Sequence, residues 1–137
     1  KIDRRKLEDI TARFLRAYKL RGSVSLALIG PARMKSLNRD YRGIDRPTDV
    51  LSFPGETPDF LGEIIINPGE AERVGKYEEM LGELSLPPFR NRLAAQKYIF
   101  YFLFVHGLLH LAGYDDVRQE ERREMLVRGR DFLKKVL

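Results

Sequence analysis

The chain of 137 residues contains no cysteine and only two histidines. Without cysteine there is no disulfide framework and no thiolate metal site. A chain of this length can bury a sizeable core without either. The lack of disulfides fits a reducing compartment, and a cytoplasmic location is expected. Long apolar runs are also missing. The most apolar stretch, YIFYFLFVHGLLHLAG (residues 98–113), is shorter than the roughly 20 residues that span a bilayer. It also carries both imidazoles. It reads as a buried core helix, and no membrane partner is expected. The opening KIDRRKLEDI is charged rather than apolar, so no signal peptide is expected in it.

Charge is what the chain has in quantity. The 25 Lys and Arg outnumber the 20 Asp and Glu, for a net charge of +5. That balance permits a phosphate-rich partner without requiring one. With 43% apolar and 33% charged residues, the composition is that of a globular chain. Its length predicts a single domain over residues 1–137.

The patterning predicts an α+β fold. Ile10, Phe14, Leu15 and Tyr18 recur at helical spacing within residues 3–19, and Gly22 stops that helix. SVSLALIG alternates Val24, Leu26 and Leu28 against Ser23, Ser25 and Ala27, which predicts a strand. Pro31 suits the first turn of a short helix that Gly43 ends. DVLSF predicts a strand closed by Pro54 and Gly55. LGEIIINP predicts a second strand covered on both faces, because Ile64, Ile65 and Ile66 are consecutive. A helix is expected within residues 69–82, then a loop through Pro87 and Pro88. A long central helix over residues 91–112 and a charged helix over residues 118–136 complete the pattern. Met125, Leu126, Phe132, Leu133 and Val136 form the buried stripe of the last helix. The expected architecture is a small mixed β-sheet with helices packed against it, and a metal site on the central buried helix.

That site starts from His106 and His110. Residues four apart on a helix are neighbours on one face, so the two imidazoles can aim at one point. Two neutral imidazoles make half of a metal site. Taken alone, the spacing fits hydrogen-bonded core histidines equally well. Gly113 can end the helix in a left-handed turn and fold the chain back. Without that turn Asp116 would stand about 240° around the helix from His110. With it, Asp115 or Asp116 can supply a third ligand. Gly107 occupies the position where a metalloprotease helix carries its glutamate base, which argues against a standard peptidase. A glycine inside a helix costs about 1 kcal/mol relative to alanine and suggests close approach of another backbone or of a substrate.

HGLLHLAGYDD (residues 106–116) resembles the H-G-x-L-H-L-x-G-Y-D-H signature of the bacterial YbeY-type endoribonucleases, which are rRNA maturation factors. LNRDYRGIDRPTDVLSFP (residues 37–54) is similar to that family's N-x-x-[YF]-R-x-x-D-x-P-T-[DN]-V-L-S-F-P segment. LGEIIINP occupies the place of its L-G-D-[IL]-x-I strand. The blocks occur in the family's order.

The resemblance implies a single-strand-specific, metal-dependent endoribonuclease acting on rRNA precursors. Its expected roles are formation of the small-subunit rRNA 3′ end and ribosome quality control, with the ribosome or small-subunit proteins as partners. It implies one divalent metal ion, with zinc the expected identity, held by three histidines. Two of these fall on His106 and His110. The third falls on Asp116, so the chain departs from the family pattern there. A carboxylate oxygen also binds zinc, at about 2.0–2.2 Å. It should make a weaker Lewis acid and ease acceptance of manganese or ferrous iron. Arg42 matches the family's cleft arginine and is the expected catalytic residue, since a guanidinium grips a phosphate with two parallel hydrogen bonds. Arg39 and Arg46 are weaker candidates for following an RNA backbone. Asp115 reads as a turn residue or a partner to a histidine N–H. Thr48, Asp49 and Ser52 read as turn and strand residues as readily as catalytic ones. Glu63 is a spare carboxylate for a general base. Tyr41, Tyr114 and Phe53 are the candidates for base stacking.

Two other classes remain open at this point: a metal-dependent hydrolase of peptides or small esters, and a non-catalytic ribosome-binding module with a structural metal. A closed four-ligand site would mark the module. The sequence offers three convincing ligands.

Overall fold

Ile64, Ile65 and Ile66 lie at the centre of the sheet in the computed structural model, which describes residues 2–137. Their strand, β3 (Phe60–Ile66), lies between β1 (Ser23–Leu28) and β2 (Val50–Thr57). It runs parallel to β1 and antiparallel to β2, so the sheet is mixed. All three isoleucines are buried. Alternation along the strand decides what buries each one. Ile64 and Ile66 join the main core, whereas Ile65 joins a smaller cluster with Met34 and Leu51. Met34 belongs to α2 (Pro31–Arg42), which therefore covers one face of the sheet. The other face carries α5 (Arg92–Leu111), with α1 (Arg4–Ala17) and α6 (Gln119–Val136) packed around it.

Helix α5 is apolar on nearly every side along its second half, and such a helix must be buried. Phe102, Leu103, Phe104, Val105, Leu108 and Leu109 are all buried. Asn91 starts the helix by accepting a hydrogen bond from Ala94 N at 2.9 Å. The stripe on α6 lies as its spacing requires, with Met125, Leu126, Phe132, Leu133 and Val136 buried. The observed class is α+β, a small mixed sheet with helices packed on both faces. Among the described residues, no helix is long and apolar enough to cross a membrane.

Three local expectations fail for physical reasons. The strand β2 does not close at Pro54 but continues to Thr57, then turns directly into β3 as a hairpin. Proline is tolerated because β2 is an edge strand, and the register shifts between Pro54 and Thr57. Leu28 does not share the burial of Val24 and Leu26, because it ends the opposite edge strand and stays exposed. The helix expected over residues 69–82 is broken into α3 (Pro68–Ala71), a 3-10 turn (Val74–Tyr77) and α4 (Glu78–Glu83). Gly75 is a poor helix former at the middle of that run, and the break accompanies burial of Tyr77.

Candidate metal centre

Helix α5 advances about 100° per residue, so Leu103, His106 and His110 share a face. That face lines a cleft of about 600 Å³, a size ordinary for ligand sites. His106 Nε2 lies 3.2 Å from Asp116 Oδ2, and His110 Nε2 lies 3.4 Å from the same oxygen. One donor atom from each of the three side chains falls within 4.8 Å of the others.

The turn that brings Asp116 back is built by the backbone. Gly113 has φ of 105°, a conformation that a β-carbon would strain. Tyr114 N donates to Leu109 O and Gly113 N donates to His110 O, each at 3.0 Å. These two bonds close the helix in the paired pattern of a left-handed glycine stop. Asp115 Oδ1 then accepts from Asp116 N at 2.8 Å. Asp115 is thus a turn residue and does not orient a histidine.

The two imidazoles are held differently. His110 Nδ1 lies 3.1 Å from the carbonyl of Tyr114. A carbonyl accepts only, so this contact places a proton on Nδ1 and fixes the ring with Nε2 toward Asp116. The Nδ1 of His106 is buried without a partner, so that ring is held by packing and by its Nε2 contact with Asp116. Gly107 explains how closely the helix sits. A β-carbon there would come 2.9 Å from Ile64 Cγ2. The close neighbour is therefore an isoleucine side chain, not a backbone or a substrate. Ser52 adds a hydrogen bond, Oγ donating to Gly107 O at 3.3 Å. Strand β2 and helix α5 are tied together beside the histidines.

Asp116 is ionised over almost the whole pH range. Its pKa is held down to about 2, chiefly by the hydrogen bond from His106, against the opposing effect of burial, with the charge of His110 adding to the depression. Two imidazole nitrogens and an anionic oxygen are a donor set that suits a divalent cation. Two of the three donors carry identifiable supports: the Tyr114 carbonyl for His110, and the Asp115 turn for Asp116. The group could hold a metal ion, with the rest of its coordination open to the cleft.

Arg42, Thr48, Asp49 and Ser52 line the same cleft. Arg42 ends α2, where Gly43 turns the chain at φ of 73°. Its guanidinium is exposed and forms no ion pair among the described residues. Arg39, by contrast, pairs with Asp40 at 3.3 Å and Asp45 at 3.9 Å. Arg46 does not line the cleft. The loop between them is anchored from below. Buried Asn38 donates from Nδ2 to Arg46 O at 2.8 Å. Buried Asn67 donates from its backbone N to Asp49 O at 2.9 Å and from Nδ2 to Thr48 O at 3.5 Å.

Asp49 is occupied by hydroxyls. Tyr77 donates to Oδ2 at 2.9 Å and Thr48 to Oδ1 at 3.4 Å. Burial, and then the charge of Asp49, push the Tyr77 phenol far above its ordinary range, so it remains a donor. Glu63 stands outside the cleft lining and accepts from Ser25 Oγ at 3.4 Å. Its placement gives no support to a role as general base. Of the three aromatics, Tyr114 is engaged by Arg128 at 4.6 Å from its ring centroid and by the edge of Tyr18. Phe53 is half-buried against Tyr41. Tyr41 is 67% exposed, and none of the three lines the cleft.

Sequence reasoning passed over Asn38, Asn67, Tyr77 and Arg122, which also lines the cleft. Asn38 was visible as the first polar residue of the LNRDYRGIDRPTDV block. Tyr77 carries no motif. Arg122 is hidden among the many charges of the last helix.

Fold and site together define an α+β protein with a three-donor group that could hold a metal ion at the end of its central helix, in an open cleft beside a free arginine. Comparison with known proteins places that class. The family model for endoribonuclease YbeY matches residues 1–137. The endoribonuclease YbeY of Brevibacillus brevis is 38% identical over 144 aligned positions, covering 95% of this chain and 87% of that protein. Those of Bacillus cereus and Halalkalibacterium halodurans are 39% and 37% identical, each covering 80% of this chain, and 70% and 69% of their own lengths. The solution structure of TM1509 from Thermotoga maritima superposes with a TM-score of 0.54 at 28% identity, covering 96% of this chain and 81% of that one. The chain belongs to the endoribonuclease YbeY family.

Proposed function

We propose that the protein is a metal-dependent, single-strand-specific endoribonuclease that acts on rRNA precursors. The roles assigned to it are formation of the small-subunit rRNA 3′ end and ribosome quality control. The observation that carries the reading is the convergence of His106, His110 and Asp116 in one cleft with the unpaired Arg42. Family membership adds the RNA substrate. His106, His110 and Asp116 are the proposed ligands of one divalent ion, with zinc the first choice for two imidazoles and a carboxylate. Bound there, the ion supplies Lewis acidity toward a phosphoryl oxygen and activates water.

The protein's own groups do the rest. Arg42 donates two parallel hydrogen bonds to a phosphate and stabilises the charge that develops on it. His110, held by the Tyr114 carbonyl, keeps its Nε2 directed at the centre without rotating. Tyr41, next to Arg42 in sequence and outside the cleft lining, offers its exposed ring to an unstacked base. A duplex hides its base faces, which gives a physical basis for single-strand preference. The helices enclose one main core on one sheet, which supports reading residues 1–137 as one domain. A cytoplasmic location and ribosomal or small-subunit protein partners belong to the same proposal.

A peptidase would need a base after the first histidine, and Ile64 fills the space beside Gly107. A purely structural metal would need a fourth protein ligand, and three donors are brought together among the described residues. The test is an assay of RNA and peptide libraries with and without chelator. Chelator-sensitive cleavage of single-stranded RNA is expected. Peptide cleavage with RNA left intact would overturn the reading.

A further inference from the structure

Arg122 lies in the first turns of α6, and its side chain lines the cleft that holds His106, His110 and Arg42. It is exposed and forms no ion pair among the described residues. Its neighbours on the helix are otherwise engaged. Arg123 pairs with Glu83 at 3.7 Å, Arg128 with Glu124 at 2.9 Å, and Arg130 with Asp131 at 3.0 Å. The carboxylates of the cleft are also engaged. Asp116 faces the imidazoles, Asp115 caps the turn, and Asp49 accepts from Tyr77 and Thr48. Two arginines line the cleft, Arg42 from α2 and Arg122 from α6, and neither has an ion-pair partner among the described residues. Between Asp116 and Arg122 the chain carries Val117, which lines the cleft and is 82% exposed.

A guanidinium has five N–H donors in a rigid fork matched to phosphate. Two such forks on separate elements of one cleft suit a ligand with more than one phosphate. A polynucleotide strand is such a ligand, and a peptide is not. An exposed valine beside the second fork suits the less polar face of a sugar or base. We propose that Arg122 is a second phosphate-binding residue, holding a backbone phosphate of the RNA at a different nucleotide from the one held by Arg42. This rests on the endoribonuclease reading and adds a binding residue to it.

The test is fluorescence anisotropy of a labelled, 2′-O-methylated single-stranded RNA oligonucleotide on the metal-loaded protein across a salt series. Each phosphate neutralised contributes about 0.7 to the slope of log affinity against log salt for a single strand. Arg122→Gln is expected to bind about threefold to fivefold more weakly at low salt, as for an exposed ion pair, and to lose about 0.7 of the slope. Arg122→Lys should keep most of the slope, because the point charge remains. Arg5→Gln, exposed on α1 and outside the cleft, should match wild type. In cleavage assays the loss should fall on KM rather than kcat, with metal content equal to wild type. Wild-type binding together with an unchanged slope in Arg122→Gln overturns this inference and leaves the endoribonuclease reading standing. An equal loss in Arg5→Gln overturns it as well, by making the effect one of net charge. A wild-type protein that binds no RNA overturns both.

Discussion

Asp116 and Asp49 line the same cleft, and their partners differ in kind. Asp116 Oδ2 sits between two imidazole nitrogens, at 3.2 and 3.4 Å. Asp49 places each of its oxygens on a hydroxyl, from Tyr77 and from Thr48. An imidazole can give up its hydrogen bond to the carboxylate and bind a cation through the same nitrogen. A hydroxyl donor held this way contributes to the fold and exchanges for nothing. The carboxylate among nitrogens is available for exchangeable chemistry. The carboxylate among hydroxyls ties the start of β2 to the 3-10 turn. The type of partner, more than position in the cleft, separates the proposed ligand from a fastener.

Substitutions can break this contrast, and the largest effect belongs to Asp116. Asp116→Ala is expected to lower the rate of RNA cleavage at least about 100-fold, since weakening metal support alone costs 10–100-fold. Asp116→His should retain cleavage, because imidazole is also a ligand. Wild-type rates in the alanine variant would remove Asp116 from the chemistry. Arg42→Ala comes next. Removing a group that stabilises developing charge costs about 100-fold in kcat, and here the metal content should stay at the wild-type level. A loss of metal in that variant would make Arg42 a structural residue.

Tyr77→Phe sharpens the other half of the comparison. It removes a buried donor from a carboxylate and is expected to cost about 1–2 kcal/mol of stability in urea unfolding. Cleavage should remain close to wild type. If cleavage collapsed while stability held, Asp49 would belong to the chemistry and the contrast would fail. The smallest effect is in acid, on metal-free protein. The pKa of Asp116 is lowered from the ordinary 3.8 to about 2. Its contribution to stability is therefore fully present above pH 3.8 and is lost as the pH falls toward 2. The stability gap between wild type and Asp116→Asn should close over that window, and it should be modest because the side chain is 37% exposed. A gap that widens as the pH falls would contradict the assigned partners.

The parts of the site that local rules control were legible in the sequence. The spacing of His106 and His110 follows from helix geometry, and Gly113 announces the turn because few other residues take its φ of 105°. The parts that depend on distant contacts were not. Gly107 is explained by Ile64 on another element. Asp49 meets a tyrosine 28 residues away. Whether a strand continues through Pro54 depends on its being an edge strand, which the sheet order decides. The free Arg122 could not be told from the paired Arg123 beside it, because pairing with Glu83 is a property of the packed helices. The three isoleucines of β3 were readable because burial on both faces leaves no polar position among them, from Ile64 to Ile66.

The most direct measurement is the metal stoichiometry of purified wild type, Asp116→Ala and Asp116→His by elemental analysis. The expected result is one divalent ion per chain in wild type, loss of the ion in Asp116→Ala, and its retention in Asp116→His. Wild-type protein without metal, or an alanine variant that holds as much metal as wild type, would contradict a centre built on His106, His110 and Asp116.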